Sequence, residues 1–329
     1  MVKTLVCCIA KDENLYIREW VEHYKNIGFT NVVIYDNNDE DDEQFDEVIE
    51  DYIKSGFAII ENFRGEKDCQ QLRAYQNCYD KYCKINTLGG GDYDWIAFFD
   101  VDEFLELDEG LTLEAFLNKD IFTNADIIKV CWKNFTDNGL VGVENGNYSI
   151  KRFTETIEED NQINYLANRS TKIIVRTGLK DFHFYMAPGG EHGWHLPFKF
   201  VDCHGNVCRN DTQVINERIW DTAWLNHYRF KTVEEFLKIK MKRLYPTVGK
   251  EKARQMINLD EFFKYNKWTK EKQKMIDGIN GRSIFCFIFN YNKDKGAVEL
   301  YNNLSGVVPT IIMDTYHKEK GDAIDELKT

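Results

Sequence analysis

Three acids in four positions, Asp100, Asp102 and Glu103, follow the most core-like run of the chain, Trp95-Ile96-Ala97-Phe98-Phe99. If the segment stays extended its side chains alternate, so Asp100 and Asp102 share one face while Val101 turns toward the core. Two carboxylates about 6 Å apart repel by roughly 3 kcal/mol at an effective dielectric near 20, and Glu103 adds more, so a bound divalent ion would relieve a real penalty. Oxygen ligands favour Mg²⁺ or Mn²⁺ over zinc. A few carboxylates also leave coordination positions open for a diphosphate, whose charge the ion neutralises as it departs. An EF-hand loop would need a glycine where this chain has Phe104-Leu105. No G-x-G-x-x-G follows the first apolar run, and Gly249-Lys250 lacks the upstream glycine and the Ser/Thr of a P-loop.

The surrounding elements must place these acids. Thr4 to Ala10 (TLVCCIA) is a continuous apolar run, the pattern of a strand buried on both faces. Ile17, Trp20, Val21, Tyr24 and Ile27 then recur at helical spacing up to Gly28, with Asp12 or Asn14 as N-cap. Asn31 to Tyr35 reads as a second strand before the acidic turn Asp36 to Asp46, and Phe57 to Ile60 as a third. This order predicts a doubly wound α/β sheet. A helix bearing Leu72, Tyr75, Tyr79 and Tyr82 leads through Gly89 to Gly91 into the Trp95 strand, whose C-terminal end is where open α/β sheets place ligands. From Ile127 to Phe230 short strands (IIKVCW, TKIIVR, PFKFVD) predict a mixed-sheet extension, and Arg229 onward reads as mostly helical. The division expected is a first domain over 1–230, in halves 1–110 and 111–230, and a mainly helical C-terminal region over 231–329.

At 329 residues, with 43% hydrophobic and 29% charged residues, the chain has the composition of a folded globular protein. A net charge of −13 argues against a surface built for nucleic acid. The charge is uneven: 10 Lys/Arg stand against 26 Asp/Glu from Met1 to Gly110, whereas Arg229 to Lys274 carries 14 against 6. No apolar run is long enough to span a bilayer and the first residues lack a cleavage-site pattern, so a cytoplasmic protein is expected. Nine cysteines, with Cys7 and Cys8 adjacent in an apolar run, do not suggest a disulfide framework.

Taken in order, Cys8-Ile9-Ala10-Lys11-Asp12-Glu13-Asn14, Tyr16 to Trp20, Gly28-Phe29, Tyr35-Asp36-Asn37-Asn38, Gln71 with Ala74-Tyr75, Trp95 to Leu105, and Asn226-His227-Tyr228-Arg229 before Lys231-Thr232 resemble the GT-A glycosyltransferases of the family 2 and family 92 kind. The resemblance covers roughly Thr4 to Phe236. It implies a GT-A-like doubly wound α/β/α sandwich and an inverting transfer of a sugar from a nucleotide donor, commonly a UDP-sugar, with Mn²⁺ or Mg²⁺ on the D-x-D. It also implies a glycan or lipid-linked acceptor, as in envelope or capsule polysaccharide synthesis. Ala10, Glu13 and Asp36 would then hold base and ribose together with Gln71, and Asp100 and Asp102 the ribose, metal and diphosphate. Glu13 equally suits a helix N-terminus and Asp36 a turn. His227 becomes a metal or diphosphate ligand, and Lys231, just before the capping-box pattern Thr232-x-x-Glu235, a phosphate contact. One of Arg169, Lys172 and Arg176 on TKIIVR would face the diphosphate.

An inverting transfer needs a carboxylate that deprotonates the acceptor hydroxyl. Glu191, in the glycine-rich stretch Pro188 to Trp194, is the choice, with Asp181, Asp202 and Asp221 as alternatives. A rival constellation, His192, His195, Cys203, His204 and Cys208, would suit a structural zinc, but a hairpin around His204-Gly205-Asn206 explains the glycine without metal. Basic and aromatic residues across 229–274 read as amphipathic helices packed on the first domain, or as a platform for peripheral contact with anionic lipid at the inner face of a membrane. A sugar-phosphate nucleotidyltransferase and a non-catalytic carbohydrate-binding protein remain the alternatives.

Overall fold

The structure is a computed structural model that describes residues 2–40, 42–66, 70–83, 92–143, 148–159, 162–186, 192–193, 198–210, 212–241 and 259–279. Strand β1 is Thr4–Ala10, and every residue of it except Ile9 is buried, as expected of a strand covered on both faces. β2 (Asn31–Asp36), β3 (Ala58–Asn62) and β4 (Trp95–Phe98) join it in the parallel order β3-β2-β1-β4. The helix Gln70–Tyr82 lays Leu72, Tyr75, Cys78 and Tyr79 on the face that carries Leu5, Cys7, Val33, Tyr35, Ile96 and Phe98. Alternation sends Val6, Cys8, Val32 and Ile34 to the opposite face, where the helix Ile17–Ile27 buries Ile17, Trp20, Val21 and Tyr24. This is the doubly wound α/β/α arrangement.

Gly28 ends the helix Ile17–Ile27 at φ 104°, a left-handed position that glycine takes without a steric cost. Its start differs from the sequence reading. Tyr16 stands at the N-cap with no side-chain cap bond, and the Glu13 carbonyl accepts the Tyr16 and Ile17 N–H groups, both at 2.8 Å. Asp12 and Asn14 do not cap, and their backbone N–H groups are tied to the acidic loop. The Asp12 N–H donates to Asn38 Oδ1 at 2.8 Å and the Asn14 N–H to Glu43 Oε2 at 2.7 Å.

The sheet continues as β5 (Glu103–Leu107), β6 (Ile127–Asn134), β7 (Thr171–Arg176), β10 (Phe200–Asp202) and β11 (Ala223–His227), while β8 (Tyr185–Met186) and β9 (His192–Gly193) form a separate ribbon. Its order is β3-β2-β1-β4-β7-β6-β11-β5. β7 runs antiparallel to β4 and β6, and β5 antiparallel to β11. β10 and β11 share one edge of β6, β10 beside Ile127 to Lys129 and β11 beside Trp132 to Asn134, both parallel to it. Between β4 and β5 only Phe99 to Asp102 intervene, yet β7, β6 and β11 separate the two strands in the sheet. A flat sheet would put β5 about 19 Å away at about 4.8 Å per strand. The extension therefore curls until the start of β5 returns to the end of β4, and that return builds the site. The expected hairpin is present at Gly205, φ 82°, with the Asp202 N–H on the Asn206 carbonyl at 2.9 Å.

The chain forms two compact units. The first comprises Met1–Phe135, Asn147–Arg229 and Tyr245–Val248, and the second Thr136–Gly146, Phe230–Leu244 and Gly249–Thr329. In the second, Thr232 and Glu235 form a full capping box ahead of a short helix, and further helices cover Leu259–Phe263 and 270–279. Phe230 packs against Phe236, Phe262 and Tyr265, and the buried Lys272 pairs with Asp137 at 2.5 Å. Among the described residues no helix is long and apolar enough to cross a membrane. Part of the lipid-facing expectation, residues 242–258, lies outside the described residues.

Candidate metal and donor site

β4 hands over to a turn rather than an extended segment. The Phe99 N–H still reaches the Cys7 carbonyl at 3.1 Å, but the Glu103 N–H closes on the Asp100 carbonyl at 3.0 Å, and the Asp100 N–H donates to Glu103 Oε2 at 2.9 Å. The alternation assumed for Asp100 and Asp102 therefore stops at Asp100, although Val101, 3% exposed, does face the core. Helices on both faces of the sheet hold the turn. Trp20 Nε1 donates to the Asp100 carbonyl and Tyr24 Oη to the Glu103 carbonyl, each at 3.0 Å. From the other side Gln71 Nε2 and Tyr75 Oη both donate to Asp100 Oδ1 at 2.9 Å.

The remaining Asp100 oxygen, Oδ2, meets Lys172 Nζ at 2.7 Å, and the same ammonium lies 3.6 Å from Glu103 Oε1. Burial works against the charged form of Lys172, but the Asp100 and Glu103 carboxylates outweigh it and raise its pKa. Glu103 is fully buried; burial pushes its carboxyl well above the usual range, with Lys172 opposing. Its Oε1 makes no hydrogen bond. Asp102, Glu103 and His227 each bring a donor atom within 4.8 Å of the others, and among the described residues this is the one such group of His, Cys, Asp and Glu.

His227 is set by a chain of amides. The Asn134 backbone N–H donates to Asn168 Oδ1 at 3.0 Å and Asn168 Nδ2 donates to Glu159 Oε1 at 2.9 Å, which fixes the Asn168 amide because a backbone N–H only donates and a carboxylate only accepts. Asn134 Nδ2 then donates to Asn168 Oδ1 at 3.0 Å, so Asn134 Oδ1 faces His227 Nδ1 at 2.9 Å and must accept from it. Nδ1 therefore carries a proton, and Nε2 stands 3.7 Å from Asp102 Oδ1. An imidazole nitrogen and a carboxylate oxygen beside the buried Glu103 oxygen that makes no hydrogen bond suit a cation, and the second-neighbour amide is the usual support of a ligating histidine. The donor set, carboxylate oxygens with one imidazole, fits Mn²⁺ or Mg²⁺.

The other expected residues fall in several places. Ala10 and Asp36 are paired neighbours at the ends of β1 and β2, and both are buried, as is Glu13. Asp36 accepts from the Asn38 N–H and Nδ2 on Oδ1, at 3.0 and 2.7 Å, and pairs with Arg64 through Oδ2 at 2.8 Å. Gln71 holds Asp100. Of the three basic candidates Lys172 is the one at the acids. Arg176 lies 4.2 Å over the Trp95 ring and donates to the Ala125 and Phe122 carbonyls, and Arg169 lies over Tyr165. Lys231 belongs to the second unit and has φ 55°. Glu191 lies outside the described residues. Asp181 is exposed at φ 59°, Asp202 accepts the His204 and Asn206 N–H groups, and Asp221 is bonded to His204 Nε2 at 2.7 Å, which holds its carboxyl below the usual range and makes it a poor base. In the zinc constellation His195 and the His192 side chain lie outside the described residues, and the buried Cys203 donates to the Lys129 carbonyl at 3.4 Å. The sequence reading named Tyr75 only as part of its helix and of the Gln71 element, without a role at the acids, and passed over Asn134 and Asn168. Tyr75 had a local signal, standing one helical turn beyond Gln71; the asparagines had none.

The model of glycosyltransferase family 92 matches residues 3–182. A Ricinus communis family 92 protein is 31% identical over 98 residues, which span 30% of this chain and 16% of that protein, so the chain matches only a small part of this relative's length. Among solved structures, S. aureus TarS 1-349 superposes with a TM-score of 0.37 and 13% identity over 86% of this chain and 74% of that one. The TarS 1-349 complex with UDP gives 0.33 and 18% over 56% and 50%.

Proposed function

The chain belongs to glycosyltransferase family 92, and from that premise we propose that it moves a sugar from a nucleotide-sugar donor, of the UDP-sugar kind, to a glycan or lipid-linked acceptor with inversion at the anomeric carbon. The observation that carries this reading is the convergence of Asp102, Glu103 and His227 at the carboxyl end of the parallel strands. Asp102, Glu103 and His227 would hold Mn²⁺ or Mg²⁺, which supplies positive charge to a departing diphosphate when bound. Gln71, Tyr75 and Lys172 fix both oxygens of Asp100, so that carboxylate is orientated before any ligand enters. Ala10, Glu13 and Asp36 line the neighbouring strand ends, where the base and ribose of a donor are accommodated in open α/β sheets. The acceptor proton goes to a carboxylate, with Glu191 and Asp181 the remaining candidates.

Calorimetric titration of nucleoside diphosphates, with and without Mn²⁺, on the wild type and Asp102→Asn tests the donor site. Mn²⁺-dependent binding of one nucleotide, lost in the variant, is the expected result. Equal binding by both proteins, or none by either, would remove the acidic turn from the role. Nucleotide-sugar binding without release of the nucleotide toward any acceptor would favour a non-catalytic carbohydrate-binding protein.

A further inference from the structure

The acidic turn carries its own cation. Lys172 sits on β7 opposite Val130 of β6, on the sheet face that also holds Asn134 and, through β11, His227. Its ammonium touches Asp100 and lies beside the orphaned Glu103 oxygen, itself one of the three groups that converge with Asp102 and His227. Three carboxylates in a half-buried turn would repel one another strongly without it. Yet a positive charge this close must also repel a divalent ion bound to the same acids.

We propose that Lys172 is a resident counter-ion of the acidic turn: it keeps Asp100 and Glu103 assembled before a divalent cation arrives, and the same charge lowers the cation's affinity so that metal and diphosphate can leave together. This rests on the reading of Asp102, Glu103 and His227 as cation ligands. Lys172 is thus a positioning residue that acts through the ligands. The balance it strikes is between assembly and release. With the ammonium gone the turn demands a metal to hold its shape; with it present, the turn stands without one.

The test is Mn²⁺ binding, followed by the electron paramagnetic resonance of the free ion, on wild type, Lys172→Met, Lys172→Arg and His227→Ala. Lys172→Met is expected to bind Mn²⁺ at least tenfold more tightly than the wild type, with Lys172→Arg within about threefold of it and His227→Ala much weaker. Thermal unfolding gives a second reading: excess Mn²⁺ is expected to raise the melting temperature of Lys172→Met more than that of the wild type, because tighter binding stabilises more. Unchanged or weaker Mn²⁺ affinity in Lys172→Met overturns the inference, as does a Lys172→Met chain that stays unfolded in excess Mn²⁺. Saturable Mn²⁺ binding by the wild type that survives in His227→Ala would show that the ligands themselves are misassigned. No saturable binding by any of the four proteins would overturn the metal reading and this inference with it.

Discussion

Replacing Glu103 by Gln separates what that side chain does for the fold from what it does for a cation. At an effective dielectric near 20, the Lys172 ammonium 3.6 Å from Oε1 attracts the carboxylate by about 5 kcal/mol. Against this stand repulsion from Asp100 and from Asp102, the latter at least about 3 kcal/mol because its donor atom lies within 4.8 Å, and the cost of burying a charge from which all solvent is removed. Burial and the two neighbouring acids together outweigh the attraction, which is why the pKa of Glu103 is raised despite the nearby lysine. Glutamine keeps the volume and can still accept the Asp100 N–H. Unfolding in urea without metal should therefore shift by no more than about 1 kcal/mol, whereas Mn²⁺ affinity, which depends on the lost charge, should fall at least tenfold. A loss of stability above about 3 kcal/mol would mean that the Lys172 pair dominates the turn, and unchanged Mn²⁺ affinity would mean that Glu103 is not a ligand. Either result refutes the reasoning.

Two other expectations follow from the geometry. Asn134→Ala removes the acceptor that fixes the His227 proton on Nδ1, and Mn²⁺ affinity should drop by about 10- to 100-fold in a titration, with little change in the far-ultraviolet circular dichroism. His23, whose Nε2 donates to the Leu105 carbonyl at 2.8 Å, has its pKa lowered by burial to about 4. The unfolded chain then binds the proton more readily than the folded one between that value and the usual 6.5, so stability is present above this window and lost as pH falls through it. Urea unfolding at pH 7 and pH 5 should differ by about 2 kcal/mol from this residue, and His23→Gln should abolish that share of the difference.

Much of the parallel half of the sheet is legible in the sequence because each signal there is local. TLVCCIA has the pattern of a strand covered on both faces, and the apolar repeat from Ile17 stops at the glycine that ends the helix. The acids after Phe99 mark a ligand site for the same reason, since they stand at the carboxyl end of a buried strand. What the acids do there is not local. Whether alternation survives past the strand is decided by Trp20, Tyr24, Gln71 and Tyr75, which reach the turn from 25 to 80 positions away. Picking Lys172 from the bases of TKIIVR requires the β6 to β7 register, and composition does not encode it. The amide chain behind His227 joins two asparagines 34 positions apart, one at a strand end and one in a turn, that look in the sequence like any other polar residues at such places. The helix N-cap is Tyr16, and the Asp12 and Asn14 N–H groups are tied to Asn38 and Glu43 of the acidic loop by contacts that no window around residue 17 contains.

The most direct test of the account is a crystal of the protein grown with Mn²⁺ and UDP and measured at the manganese absorption edge. A single anomalous peak is expected within bonding distance, about 2.0–2.3 Å, of Asp102, Glu103 and His227, with the diphosphate completing its shell. A peak elsewhere on the chain, or UDP bound with no manganese at these three residues, would contradict it.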